Sequence, residues 1–265
     1  MTAGRGRPRV PPLVAGAGVV GVGLLSVPIV GLLVRTPWAE LPALLSSEVA
    51  LQALWLSLIA SVLAALSSLA IGVPLAWLLV RVPFPGRGLV RGLVLLPLVL
   101  PPVVAGAALL FALGRRGLVG APLYEATGLV LPFSLGGVVV AATFVSMPLM
   151  VIAVEGALRG VDPRFEGAAA ALGASPWTVF RRVTLPMTRP GIVGGLLLTW
   201  ARALGEFGAT VTFAGSLQGR TQTLPLAIYV GLQSDRDAAV AMSLILVVLS
   251  LGVLVLLRDR WWSSG

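Results

Sequence analysis

The chain has 265 residues, 57% of them hydrophobic and only 11% charged, with a formal net charge of +9 and a mean hydropathy of +1.00. Several apolar runs exceed the ~18 residues that mark a membrane span, far beyond what a soluble domain carries, so the chain reads as an integral membrane protein. There is no cysteine, histidine or lysine: disulfides, thiolate or imidazole metal sites and His-dependent triads are excluded, and ATP hydrolysis through a phosphate loop ending in Gly-Lys-Ser/Thr is excluded too.

Six apolar runs are long enough to span, over about residues 12–34, 51–80, 89–113, 129–154, 190–213 and 237–257. The first follows Arg5, Arg7 and Arg9 but is too long for a signal-peptide core and lacks a small-x-small cleavage pattern, so it is expected to be retained. The second is overlong for a hydrocarbon core of about 30 Å and is expected to tilt, to kink at Pro74 or to extend beyond the bilayer. The third holds Pro97, Pro101 and Pro102, whose missing donors predict a broken span buried in the bundle.

Arginine placement sets the expected sidedness, because cytoplasmic connections carry the excess of positive charge. With the N-terminus inside, the inner segments hold Arg5, Arg7, Arg9, Arg81, Arg87, Arg91, Arg159, Arg164, Arg181, Arg182, Arg189, Arg258 and Arg260. The outer ones hold Arg35, Arg115, Arg116, Arg220 and Arg236, and Arg202 lies within span five. Both termini are therefore expected in the cytoplasm. The positive charge follows membrane sidedness rather than clustering on one domain, which argues against nucleic acid as a partner.

The longest inner loop contains FEGAAAALGASPWTVFRRVTLP at residues 165–186. Asp162-Pro163 before it is a helix start, a capping carboxylate followed by proline at the first helical position. Gly173 is expected to end that short helix in a left-handed conformation, and Ser175-Pro176 to start a second one that ends near Leu185-Pro186. Phe165, Ala168, Ala169 and Leu172 fall at helical spacing on the first helix, and Arg181 and Arg182 suit the negative end of the second. These features fit equally an amphipathic hairpin on the inner leaflet and a knob that docks a soluble protein.

This stretch resembles the coupling loop of ABC importer permeases, Glu-Ala-Ala, three residues, Gly, nine residues, then Ile-x-Leu-Pro. With Gly173 as the anchor, the pattern falls on Ala168, Ala169, Val183, Leu185 and Pro186. The family's glutamate falls on Gly167, with Glu166 one residue earlier, so either Glu166 supplies that charge from about 100° around the helix or docking relies on shape and alanine packing. The resemblance implies that the knob seats in a cytoplasmic ATPase, which is then a separate chain.

LPLVLPPVVAG at 96–106, RALGEFGATVTFAG at 202–215 and GRTQTLPLAIY at 219–229 resemble, over roughly residues 50–257, the permeases of molybdate importers, within a group that also moves tungstate and sulfate. Within the second segment Arg202 and Glu206 are four apart, close enough to pair on one helix face. A balanced pair suits passage of a dianion better than its capture, although an ion pair that only fixes packing explains the same residues. Gly205 and Gly208 flank Glu206 and allow close helix contact or a local break. Arg220 in the next outer loop meets either the anion, the binding protein or solvent, and Asp235, Arg236 and Asp237 are expected to cap span six.

The expectation is an all-α ABC importer type I permease of six transmembrane helices. An arm, first span and outer loop occupy residues 1–50, the transmembrane core 51–257, with the coupling loop at 160–189, and a cytoplasmic tail 258–265. The resemblance implies an oxyanion importer subunit of the bacterial inner membrane, a homodimer with an ATPase dimer and an extracytoplasmic binding protein as partners. It implies no catalytic residue, metal or cofactor on this chain, with ATP and Mg2+ used by the ATPase. A secondary transporter would need its own coupling-ion site, and an intramembrane enzyme would need converging acid, base or ligand groups; away from the span ends only Arg202 and Glu206 are charged.

Overall fold

The computed structural model describes the backbone of residues 11–261 and the side chains of 11–253, 255 and 256. Arg5, Arg7, Arg9, the side chains of Arg258 and Arg260, and the last four residues lie outside the described residues. Every regular element among the described residues is helical. In chain order these are α1 Pro12–Arg35, α2 Leu41–Leu45, α3 Glu48–Arg81, α4 Arg87–Val99, α5 Pro102–Leu113, α6 Gly120–Thr127 and α7 Leu135–Gly160. Then come α8 Pro163–Ala171, α9 Pro176–Val179, a π-helical turn Phe180–Thr184, α10 Leu185–Leu204, α11 Gly208–Phe213, α12 Leu224–Ser234 and α13 Arg236–Trp261.

Among the described residues four helices are long and apolar enough to cross a membrane: α1, α3, α7 and the Arg236–Val253 part of α13. The expected spans three and five are each two helices instead. Span three parts into α4 and α5 at Leu100-Pro101, where adjacent prolines remove the donors that would pair with the carbonyls of Pro97 and Leu98. It is broken as expected, but only one face is covered: Val94, Pro97, Ala105, Gly106 and Leu109 are buried, whereas Leu93, Val99, Val103 and Phe111 are exposed. Span five parts into α10 and α11 around Glu206. By contrast α3 runs unbroken through Pro74 for 34 residues, about 51 Å at 1.5 Å per residue, so length rather than a break accommodates the second run. Span four starts later than expected, at Leu135, because the Ser134 hydroxyl accepts from the Gly137 N–H and caps α7 there. The short helices α2, α6 and α12 were not expected from the apolar runs.

The centre is built by α3, α7 and α10, and small side chains explain why they meet. Along α3, Ala50, Ala53, Ser57, Ala60, Ser61, Ala64, Ser68, Gly72 and Ala76 recur every three or four residues and are all buried, a small-residue face that lets helix backbones approach. Its serines also bond across helices. Ser57 Oγ accepts from the Leu224 N–H at 2.6 Å, and Ser61 Oγ accepts from Trp200 Nε1 at 2.9 Å. One end of this core is filled by Val73, Ala76 and Leu79 of α3 against Met150, Val151, Val154 and Leu158 of α7. The other holds Ala105, Leu109, Ala141, Val145, Ala209 and Phe213, which joins α5, α7 and α11. No residue of α1 is buried, so this helix stands apart from the core.

Candidate functional site

The loop between α7 and α10 folds as its local signals dictate. Asp162 caps α8 by accepting from the Arg164 N–H at 2.9 Å, and Pro163 takes the first helical position. At the other end Gly173 has φ +85°, with its N–H on the Ala170 carbonyl and the Ala174 N–H on the Ala169 carbonyl, both near 3 Å. That pair of bonds is a Schellman closure, which requires the left-handed residue that glycine supplies. Ser175 then caps α9 by accepting from the Thr178 N–H.

The second short helix does not end at Leu185-Pro186 as expected. It passes through the π-helical turn, where the Leu185 N–H reaches the Phe180 carbonyl, and continues as α10. A π turn displaces the register by one residue, and it absorbs the donor that Pro186 lacks. Arg181 and Arg182 are consequently mid-helix and exposed rather than at a C-terminal dipole end.

No residue of α8 is buried. Phe165, Ala168 and Leu172 form an exposed apolar strip, Leu172 at 90%, and Trp177 adds to it at 67%. Ala169 is half-buried, Gly167 and Gly173 are exposed, Val183 and Leu185 are half-buried and Pro186 is exposed. Phe180 anchors the inner side, stacked on Trp177 with ring centroids 5.7 Å apart and edge-on to Trp77 at 6.1 Å. The two acid positions also separate. A Cβ on Gly167 would meet nothing within 4 Å, whereas Glu166 turns inward. Its carboxylate accepts from Arg81 Nε, with Oε2 at 3.0 Å, and from Thr184 Oγ1, on Oε1 at 2.8 Å. Glu166 is thus occupied within the chain.

The second candidate region lies at the two helix breaks. Arg202, on the last turn of α10, pairs with Glu206 at 2.8 Å, but Glu206 is not on the same continuous helix, because α10 ends at Leu204. The other oxygen of Glu206 accepts from the Ala209 N–H at 2.8 Å and so caps α11. The carboxylate is locked inward, with its side chain 2% exposed, while the Arg202 side chain is 34% exposed. Arg202 forms a wall of a cavity of about 330 Å3 with Pro97–Pro102 and Val145. Gly205 is exposed in the break, and Gly208 packs directly on Pro102. Arg220 is exposed in the 216–223 segment, remote in sequence from this cavity's wall, and Asp235 caps α13 through the Ala238 N–H at 3.0 Å, as expected.

Two groups of functional interest escaped the sequence reading. Glu155 is a second buried carboxylate besides Glu206, inside α7 just past the expected end of span four, paired with Arg91 at 2.8 Å and Arg159 at 3.5 Å. The Glu155–Arg159 spacing of four was a usable signal; the Arg91 contact from α4 was not. Arg81 is the other, since its partner Glu166 is 85 residues away.

Residues 68–261 match the family model for the binding-protein-dependent transport system inner membrane component. The chain belongs to this family. Similarity to individual members of this transport family is extensive. The chain is 49% identical over 236 residues to the molybdenum transport system permease protein ModB of Mycobacterium tuberculosis, covering 88% of each chain. It is 48% identical over 210 residues to the protein of the same name from Escherichia coli, covering 79% of this chain and 92% of that one. The fold is also that of a subunit in the crystal structure of a bacterial alginate ABC transporter in complex with an alginate pentasaccharide-bound periplasmic protein, with TM-score 0.74, 21% identity and coverage of 92% of this chain and 90% of that one. As an inner membrane component of such a system, the chain is a multi-pass membrane protein, and its all-helical architecture is that of ABC importer permeases.

Proposed function

We propose that this chain is the transmembrane permease subunit of an ATP-driven importer that passes molybdate from an external binding protein into the cytoplasm. The observation that carries this reading is the 48–49% identity to molybdenum permeases over most of the chain. Two copies pair around a central path, both termini face the cytoplasm, and a cytoplasmic ATPase dimer uses ATP and Mg2+ for the chain, which has no catalytic role.

The knob formed by α8 and α9 is the docking element for that ATPase. Exposed Phe165, Ala168, Leu172 and Trp177 offer an apolar patch that a partner's cleft would desolvate, and exposed Arg181 and Arg182 offer donors to its acidic residues. Because Glu166 is engaged internally, docking rests on shape and small-residue contact at Gly167, Ala168 and Ala169 rather than on a glutamate. Gly173, Val183, Leu185 and Pro186 set the path of the chain through the knob.

Arg202, Gly205, Glu206 and Gly208 form the path or its gate. Arg202 attracts an anion into the cavity, Glu206 opposes that attraction, and the carbonyls freed by Pro101 and Pro102 oppose tight capture. Such a wall favours passage. Arg220 is the candidate for contact with the binding protein outside.

Docking is tested by co-purification with the matched ATPase. Ala169→Trp and Gly173→Leu are expected to lose the ATPase from the purified complex, the first by bulk and the second because a side chain at φ +85° costs roughly 1–2 kcal/mol of backbone strain. Retention of the ATPase by both variants overturns the docking assignment. Uptake of labelled molybdate, tungstate and sulfate by the assembled transporter then tests the substrate, with molybdate expected to be taken up in preference.

A further inference from the structure

The knob has an attachment problem. Its first helix buries no residue, so apolar packing, the usual source of rigidity, does not hold α8 to the membrane body. What joins it instead is a polar cluster centred on one guanidinium. Arg81 is the last residue of α3, and its Nε donates to the Glu166 carboxylate of α8 at 3.0 Å. Its Nη2 donates to the carbonyls of Leu158, at 3.1 Å, and Val161, at 3.3 Å, where α7 ends. Thr184 Oγ1 donates to the same carboxylate at 2.8 Å from the π-helical turn that opens into α10. The Arg81 and Glu166 side chains are 15% and 17% exposed and Thr184 is buried. At that burial, charge-assisted bonds are weakly screened and directional.

We infer that Arg81 is the positioning residue of the joint through which movement of the knob reaches α3, α7 and α10. The guanidinium is a planar fork of five donors, which is why one side chain can fix three segments at set angles. Without it, α8 is held by the backbone through Val161-Asp162 and Gly173–Ser175 and by the single Thr184 hydrogen bond, and links so few would bend instead of passing on a displacement. The joint belongs to a part of the molecule distinct from the exposed strip of Phe165, Leu172 and Trp177, so gripping the ATPase and transmitting its motion fall to different residues. The inference rests on the proposal that the knob docks an ATPase.

The experiment compares Arg81→Gln, Glu166→Gln and Thr184→Val with the parent chain in the assembled transporter, reconstituted with its ATPase and binding protein and supplied with molybdate. Three quantities are read: ATPase retained, ATP hydrolysed, and molybdate accumulated per ATP. Expected are full retention of the ATPase, continued hydrolysis, and at least a tenfold fall in molybdate per ATP for Arg81→Gln. Thr184→Val, which leaves the ion pair intact, is expected to fall less. The double variant Arg81→Gln/Glu166→Gln is expected to be no worse than Arg81→Gln alone, because both changes remove one contact. A merely structural role would lower yield and both rates together and leave molybdate per ATP unchanged; that outcome overturns the inference. Loss of the ATPase from Arg81→Gln also overturns it, by making the residue part of the grip. Failure of the parent chain to retain an ATPase or to accumulate molybdate instead overturns the proposed function beneath it.

Discussion

Glu206→Ala is expected to cut oxyanion uptake at least tenfold while the ATPase subunit stays bound. The carboxylate accepts from both Arg202 and the Ala209 N–H, so its removal unpairs the arginine and uncaps α11 at once. Removing one partner of a buried ion pair costs about 3–5 kcal/mol, and the lower figure applies because the Arg202 side chain is one-third exposed. Glu206→Gln separates the two losses. Its amide oxygen still accepts from the Ala209 N–H, so the fold is kept, but Arg202 now faces the cavity with its charge unopposed. Uptake by this variant is expected to be slow, with tighter apparent binding of the anion, because release becomes limiting. Arg202→Ala is expected to weaken entry instead. Uptake assays with matched ATPase retention decide the point: normal uptake in both Arg202→Ala and Glu206→Ala returns the pair to a packing role.

Gly106→Leu is expected to prevent the two broken helices from meeting, and with it the stable fold. A Cβ on Gly106 would lie 2.6 Å from Thr212 Cβ and 2.7 Å from the Ala209 carbonyl oxygen, and one on Gly208 would collide with Pro102. The obstacles are the Thr212 Cβ, backbone atoms and a proline ring, none of which has a rotamer to escape into, so the cost is at or above the ~1–3 kcal/mol typical of overpacking. Even Gly106→Ala is expected to lower the thermal midpoint of the detergent-solubilised protein by several degrees, at roughly 2–4 °C per kcal/mol for a chain of this size class. Gly156→Ala in α7 is the control. Nothing lies within 4 Å of its added Cβ, and alanine is the better helix former by about 1 kcal/mol, so the midpoint should hold or rise. A Gly106→Ala protein as stable as the control would show that α5 and α11 are not held by this contact.

The knob was legible because its signals are local. Asp162-Pro163, Gly173 and Ser175-Pro176 each act on backbone groups within a few residues, and all three took the conformations their chemistry requires. The continuation of α9 into α10 was misread for the complementary reason. Pro186 ordinarily argues for a helix end, but a π turn upstream removed the need for its donor. Spans three and five show the same limit. Their apolar runs set total length correctly, yet the runs contain breaks at Leu100-Pro101 and around Glu206, and hydropathy averages across them.

Residue order alone is enough to place this chain in a membrane, to show that it lacks the phosphate loop for its own ATP hydrolysis, to predict capped helices between α7 and α10, and to reveal the resemblance to ABC importer permeases. Those conclusions depend on composition and on neighbours in the chain. It takes the packed helices to show that Glu166 turns to Arg81 and Thr184, that Glu155 binds Arg91, and that Arg202 walls a cavity made by the prolines of another span. Partners separated by 18 residues or more leave no periodic trace. That Glu166, rather than the next position, turns inward likewise follows from Arg81 at the end of α3 and Thr184 in the π-helical turn, and not from the spacing of the motif.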